Sequence, residues 1–256
     1  MRNGAFGILA LGGLATLLAA GCVGTEGERA PPVAEALRAS ASDAAAQGDH
    51  AVAAEQFGKL VDRSPSDKGA ALGYLENLRR IPGAEPEQST LGGIRESLGG
   101  DPDVLVALAK FQIGVGKGRE ALADLDKART LAPRNWEVYS LSGVAQDAQG
   151  NFQAAAAAYR AGLELSPGNP VILNNMALSL AQAGRLDEGI RILQDLLAGQ
   201  VRVSPRIRQN LAMLHGFKGN IKEFEALARA DLREEAVRKN MEAFRALQAG
   251  RGAPLP

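Results

Sequence analysis

The sequence runs to 256 residues and carries no formal net charge, 29 Lys and Arg being balanced by 29 Asp and Glu. The signs alternate along nearly every segment and aromatic residues make up only 4%, which excludes the clustered cationic, base-stacking surface that a nucleic acid partner requires. A single cysteine excludes an intramolecular disulfide and a zinc site built on thiolates, so a fold rich in Ala, Leu and Gly has to stand on the packing of helices, and an all-α chain is predicted.

At the N-terminus, Arg2 gives one early positive charge and Phe6 to Ala20 then runs without charge into Leu18-Ala19-Ala20-Gly21-Cys22. The apolar stretch is too short and small-sided for a membrane span and ends in small residues with cysteine directly after them. This segment resembles a bacterial lipobox. The resemblance implies a signal peptide over 1–21, lipidation of Cys22, acylation of its new amino terminus and attachment to a membrane. At roughly 0.8 kcal/mol per buried methylene, two or more acyl chains anchor durably where one does not. Val23 rather than Asp after the cysteine is compatible with delivery to the outer membrane, on the face toward the periplasm. Residues 22–33 read as the lipidated cysteine and its tether, rich in Gly, Pro and charge.

From there a period governs the chain. Gly48, Gly116, Gly150 and Gly184 recur at multiples of 34, and Pro65, Pro133 and Pro167 follow the corresponding glycine by 17 positions. Between these punctuators lie large, large, small and small, large, small residues: Leu105, Leu108 and Ala109, then Ala121, Leu125 and Ala128; in the next unit Tyr139 and Gly143, then Ala155, Tyr159 and Gly162. The pattern is similar to the tetratricopeptide (TPR) repeat, in which paired helices approach through small side chains. It predicts a TPR solenoid of about five to six helix-turn-helix repeats over 34–248, at 34–67, 68–101, 102–135, 136–169, 170–204 and 205–238. Glycine should end each first helix with a positive φ. The second repeat is expected to be distorted or looped, because Ile81-Pro82-Gly83-Ala84-Glu85-Pro86 falls on its turn and Gly92, Gly93, Gly99 and Gly100 follow. Val237, Met241 and Phe244 form one stripe, as on a capping helix, and 249–256 read as a disordered tail.

No catalytic or metal-ligating constellation is present in this pattern. His50 and His215 are far apart and read as structural or surface residues. Gly114-Val115-Gly116-Lys117-Gly118 lacks both the P-loop spacing and the Ser or Thr after Lys, and reads as a repeat turn. Glu234 and Glu235 read as solvated helix surface. Neither an enzyme nor a cofactor is therefore expected. What the TPR resemblance implies instead is a groove lined by the first helix of each repeat, with Lys110, Glu137, Ser140, Asp147, Asn174, Gln182, Gln209, Met213 and Phe217 facing a peptide or helix ligand.

Asn174-Asn175-Met176-Ala177-Leu178-Ser179-Leu180-Ala181, then Arg208-Gln209-Asn210-Leu211-Ala212-Met213, then Gly219, Ala226 to Leu232 and Val237 add a narrower likeness. In this order, behind a lipobox, they resemble the TadD-like TPR lipoproteins of the tight-adherence (Flp/type IVb) pilus assembly system. That resemblance implies an outer-membrane scaffold whose protein partners are the secretin or other pilus-assembly components. Arg238-Lys239-Asn240-Met241-Glu242 and the second repeat depart from the family's pattern. The residues are also compatible with a general envelope scaffold that gathers peptidoglycan enzymes or outer-membrane assembly factors on the same groove.

Overall fold

The structure, a computed structural model, describes residues 32–199 and 204–251. The expected signal peptide, Cys22 and most of the tether lie outside the described residues, as do positions 252–256. Six helix pairs follow one another, α1 (Val33–Ala46) with α2 (His50–Arg63), α3 (Lys68–Leu78) with α4 (Gln88–Leu98), α5 (Pro102–Gly114) with α6 (Gly118–Leu131), α7 (Trp136–Asp147) with α8 (Phe152–Leu165), α9 (Pro170–Gln182) with α10 (Leu186–Ala198), and α11 (Pro205–Lys218) with α12 (Ile221–Ala228), and all but α3 and α4 pack on each other as hairpins. Helix α13 (Glu234–Arg251) closes the stack. The described residues contain no strand.

Local chemistry sets both ends of these helices. Asp67, Asp101, Asn135 and Asn169 stand directly before the first helix of a repeat, and each accepts hydrogen bonds from backbone N–H groups of the opening turn. Such a cap contributes about 1 kcal/mol. These caps recur every 34 residues, a third punctuation alongside the glycines and prolines. Proline at the first turn of α5, α9 and α11 needs no donor there. The turn glycines adopt the expected positive φ, from 74° at Gly150 to 91° at Gly219.

Between helices, the small and large positions pack as the repeat pattern requires. Leu105, Leu108, Ala109, Ala121, Leu125 and Ala128 are all buried, as are Ala155 and Tyr159. Neighbouring hairpins share these layers, so each repeat completes the core of the next.

Two places differ from a regular stack. In the second repeat both helices form, but residues 79–87 replace the three-residue turn seen at 115–117, and the helices do not close on each other: α3 packs on α2 and α5, and α4 packs on α2. Ile81 and Ala84 of this longer connection pack on the N-terminal core beside Leu91 and Leu98, so the segment is held by apolar contact. At the other end α12 has only eight residues. Arg208 grips the Asp231 carboxylate with two nitrogens just beyond it, and α13 starts at Glu234, inside the span expected for the sixth repeat. Helix α13 continues to Arg251, past position 249 where the tail was expected to begin. Its Val237, Met241 and Phe244 pack on Ala212, Phe224 and Ala228.

Candidate peptide-binding groove

The first helices of successive repeats touch directly, α3 on α5, α5 on α7, α7 on α9, α9 on α11 and α11 on α13. From α6 onward the second helices pack chiefly on first helices, so the first helices form the wall of shorter radius. A groove therefore runs along α5, α7, α9 and α11.

The residues expected to face a ligand separate into three groups on this wall. Lys110 and Glu137 meet across α5 and α7 at 2.8 Å, each about one-third exposed, and so hold each other. Ser140 and Asn174 are buried, at 3% and 4% exposure, and belong to the wall rather than its lining. They are joined by a polar ladder: Asn210 Nδ2 donates to Asn174 Oδ1 at 2.7 Å, Asn174 Nδ2 to Asn175 Oδ1 at 3.4 Å, and Asn175 Nδ2 to Ser140 Oγ at 3.3 Å. The ladder stitches α7, α9 and α11 together, satisfying amides that burial would otherwise leave costly. Asp147 is also used internally, accepting from Tyr159 OH at 2.7 Å and from Ser179 Oγ at 2.6 Å. Burial raises the Asp147 carboxyl above its ordinary value despite these donors, and burial together with Asp147 pushes the Tyr159 phenol up.

Gln182, Met213 and Phe217 come together in the third group. With Leu178, Ala181, Gly184, Leu186 and Leu214 they line a recess of about 490 Å³ between the α9–α10 turn and the C-terminal half of α11. The Lys218–Asp187 ion pair joins α11 to the first turn of α10 at the edge of this recess. Phe217 is braced from behind, since Phe244 meets its ring edge-on at 5.3 Å and Gln248 Nε2 donates to its backbone oxygen at 2.9 Å. Gln209 is exposed one to two turns along the same face of α11. The recess is apolar with an amide at its rim, which suits burial of one side chain of a bound segment.

Sequence reading missed Asn175 and Asn210, which carry the ladder, and Ser179, which donates to Asp147. The signal for the two asparagines was present: each lies on a first helix about 35 positions from its partner, Asn175 from Ser140 and Asn210 from Asn174. The two histidines hydrogen-bond within the fold, His50 part-buried and His215 buried. His50 Nδ1 lies 2.8 Å from Asn77 Oδ1. His215 is buried beside Asn220, and burial holds its ring below the ordinary histidine value.

Tetratricopeptide-repeat models match residues 106–170 and 148–214. A Sinorhizobium fredii protein, the uncharacterised y4yS, is 27% identical over 113 residues, 44% of this chain; the chain spans 62% of that relative's length. Among solved structures, PilW, described as a widely conserved type IV pilus biogenesis factor, superposes with a TM-score of 0.64 at 17% identity, over 82% of this chain and 99% of PilW. PilF of Pseudomonas aeruginosa gives 0.58 at 15% identity, over 84% and 97%. The thermophilic TPR protein TTC0263 of Thermus thermophilus gives 0.54 at 18%, over 82% and 98%. Residues 106–214 thus carry tetratricopeptide repeats, and the described hairpins stack as a TPR solenoid.

Proposed function

We propose that this chain is a lipid-anchored, non-catalytic scaffold of the bacterial envelope that acts in assembly of the Flp/tight-adherence pilus or its secretin. The observation that carries the scaffold part is the groove itself. The amides of the α7–α9–α11 ladder are satisfied internally, while an apolar recess lies between α9 and α11 beside Gln182 and Met213. Such a surface holds a partner segment and offers no group poised for bond-making. The pilus part rests on the TadD-like order of lipobox, repeats and C-terminal segment, and the description of PilW as a pilus biogenesis factor is in keeping with it.

Anchoring supplies the mechanism. No helix among the described residues is long and apolar enough to cross a membrane, so attachment in this reading comes from acyl chains on Cys22. Confinement to the outer-membrane surface raises the effective concentration of the groove near membrane-bound partners without any added contact.

The test is affinity capture of the tagged full chain from gently cross-linked native envelopes, with mass-spectrometric identification of its companions. Enrichment of the secretin or other tight-adherence components supports the reading. Enrichment of peptidoglycan enzymes or barrel-assembly proteins instead would replace the pilus by a general envelope scaffold. A Cys22→Ser strain should contain folded but misplaced protein and fail in pilus assembly; normal pili in that strain would overturn the anchoring step.

A further inference from the structure

The charges beside the recess distinguish among ligands. On the inner wall from α5 to α11, Asp103 shares Lys68 with Asp101 at 2.7 and 2.8 Å, Glu137 is held by Lys110 at 2.8 Å, and Asp147 by two hydroxyls. Arg208, which stands beside the wall, is committed to Asp231. Arg206 differs from all of these: it is exposed and makes no ion pair with any described residue. It shares one face of α11 with Gln209, Met213 and Phe217, at intervals of three and four residues. From Phe217 to Arg206 is eleven residues along the helix, or about 16 Å at ~1.5 Å per residue. On α9 and α11, the helices that carry the recess, a basic ligand finds no carboxylate at all, whereas an acidic one gains Arg206 without breaking an existing pair.

We infer that the groove takes an acidic protein segment, with one aliphatic or aromatic side chain anchored in the recess at Met213 and Phe217 and a carboxylate about 16 Å away on Arg206. The inference rests on the groove reading above and adds to it the chemistry of the partner. The spacing corresponds to about eleven residues of a helical segment, or about five of an extended one. The anchor supplies burial, and the carboxylate sets the direction in which the segment lies.

The test uses the full chain and a random 16-residue peptide library displayed on phage. Selected sequences should pair an apolar position with Asp or Glu at one of those two spacings. The selected peptides are then synthesised and their affinities measured by fluorescence anisotropy. Met213→Lys should weaken binding at least tenfold, since it puts a charge in the anchor's place. Arg206→Glu should weaken it about threefold, the size of an exposed ion pair. A peptide whose acid is changed to Lys should recover that loss on the Arg206→Glu protein and on no other. If Met213→Lys disturbs folding, Gln182→Trp fills the mouth of the recess from an exposed position and should weaken binding as strongly. Selected peptides that are basic, or that bind both groove variants as they bind the parent, would overturn this inference and leave a peptide groove standing elsewhere on the wall. A library yielding no binder would remove the groove reading and this inference with it.

Discussion

Gly143 shows how much a single position decides. A Cβ placed there would stand 2.5 Å from Cε1 of Tyr159, a ring that is almost fully buried and tied through its hydroxyl to Asp147. Alanine normally favours a helix over glycine by about 1 kcal/mol, but the ring cannot move aside without giving up that hydrogen bond. Overpacking costs about 1–3 kcal/mol, and a 2.5 Å approach to a fixed ring belongs in the upper part of that range, so Gly143→Ala should destabilise by about 1–2 kcal/mol net, read as a lower midpoint in urea unfolding. An unchanged midpoint would mean that Tyr159 has another resting place. Asp147 gives a second prediction at this scale. Its folded-state carboxyl titrates above the ordinary value because of burial, so the folded chain binds that proton more tightly than the unfolded chain. The corresponding stability is absent at neutral pH, appears as pH falls through the raised value, and is complete below the ordinary Asp value of about 3.9. Asp147→Asn keeps an acceptor for Tyr159 or Ser179 and does not titrate. The parent should therefore gain on the variant between pH 7 and pH 4 in parallel unfolding measurements, and a constant difference would refute the assignment.

Elements were legible in the sequence wherever residue identity repeats. Gly48, Gly116, Gly150 and Gly184 end first helices with positive φ at the phase read from their spacing. The capping residues Asp67, Asp101, Asn135 and Asn169 carry the same phase just as clearly. Asn169→Ala should therefore cost about 1 kcal/mol, because the N–H groups of Val171 and Ile172 both lose their acceptor; thermal unfolding followed by circular dichroism measures it, and no change would show that solvent replaces the cap fully. Legibility failed where tertiary contact overrides the period. The turn of the second repeat is long because Ile81 and Ala84 find apolar partners, and the last repeat is short because Arg208 holds Asp231 outside a helix. In the groove, position alone assigned Ser140 and Asn174 to the ligand. Which of two polar faces is buried depends on partners a repeat away, Asn175 and Asn210, and a pattern read one repeat at a time does not contain them.

Over the whole molecule, a stack whose units touch only their neighbours has two ends, and its apolar layer must be covered at each. Helix α13 covers the C-terminal one: Val237 is fully buried, and Phe244 sets its ring against Phe217 and Phe224 at 5.3 and 5.1 Å. Because Phe217 also lines the recess, the cap and the groove share a residue, and loosening one should loosen the other. Phe244→Ala removes a partly buried ring, for which about 2–3 kcal/mol is expected, below the cost of a fully buried Phe. In a nearest-neighbour stack that loss should stay local. Amide hydrogen exchange should accelerate in α11 to α13 while α5 to α8 keep their protection, since those helices reach the cap only through two further repeats. The variant should also bind selected peptides more weakly although no groove-facing side chain has changed, because Phe217 loses the ring that braces it. Uniform acceleration across all helices would instead mean that the stack opens as a single unit, and the groove would then be set by global stability rather than by the cap beside it.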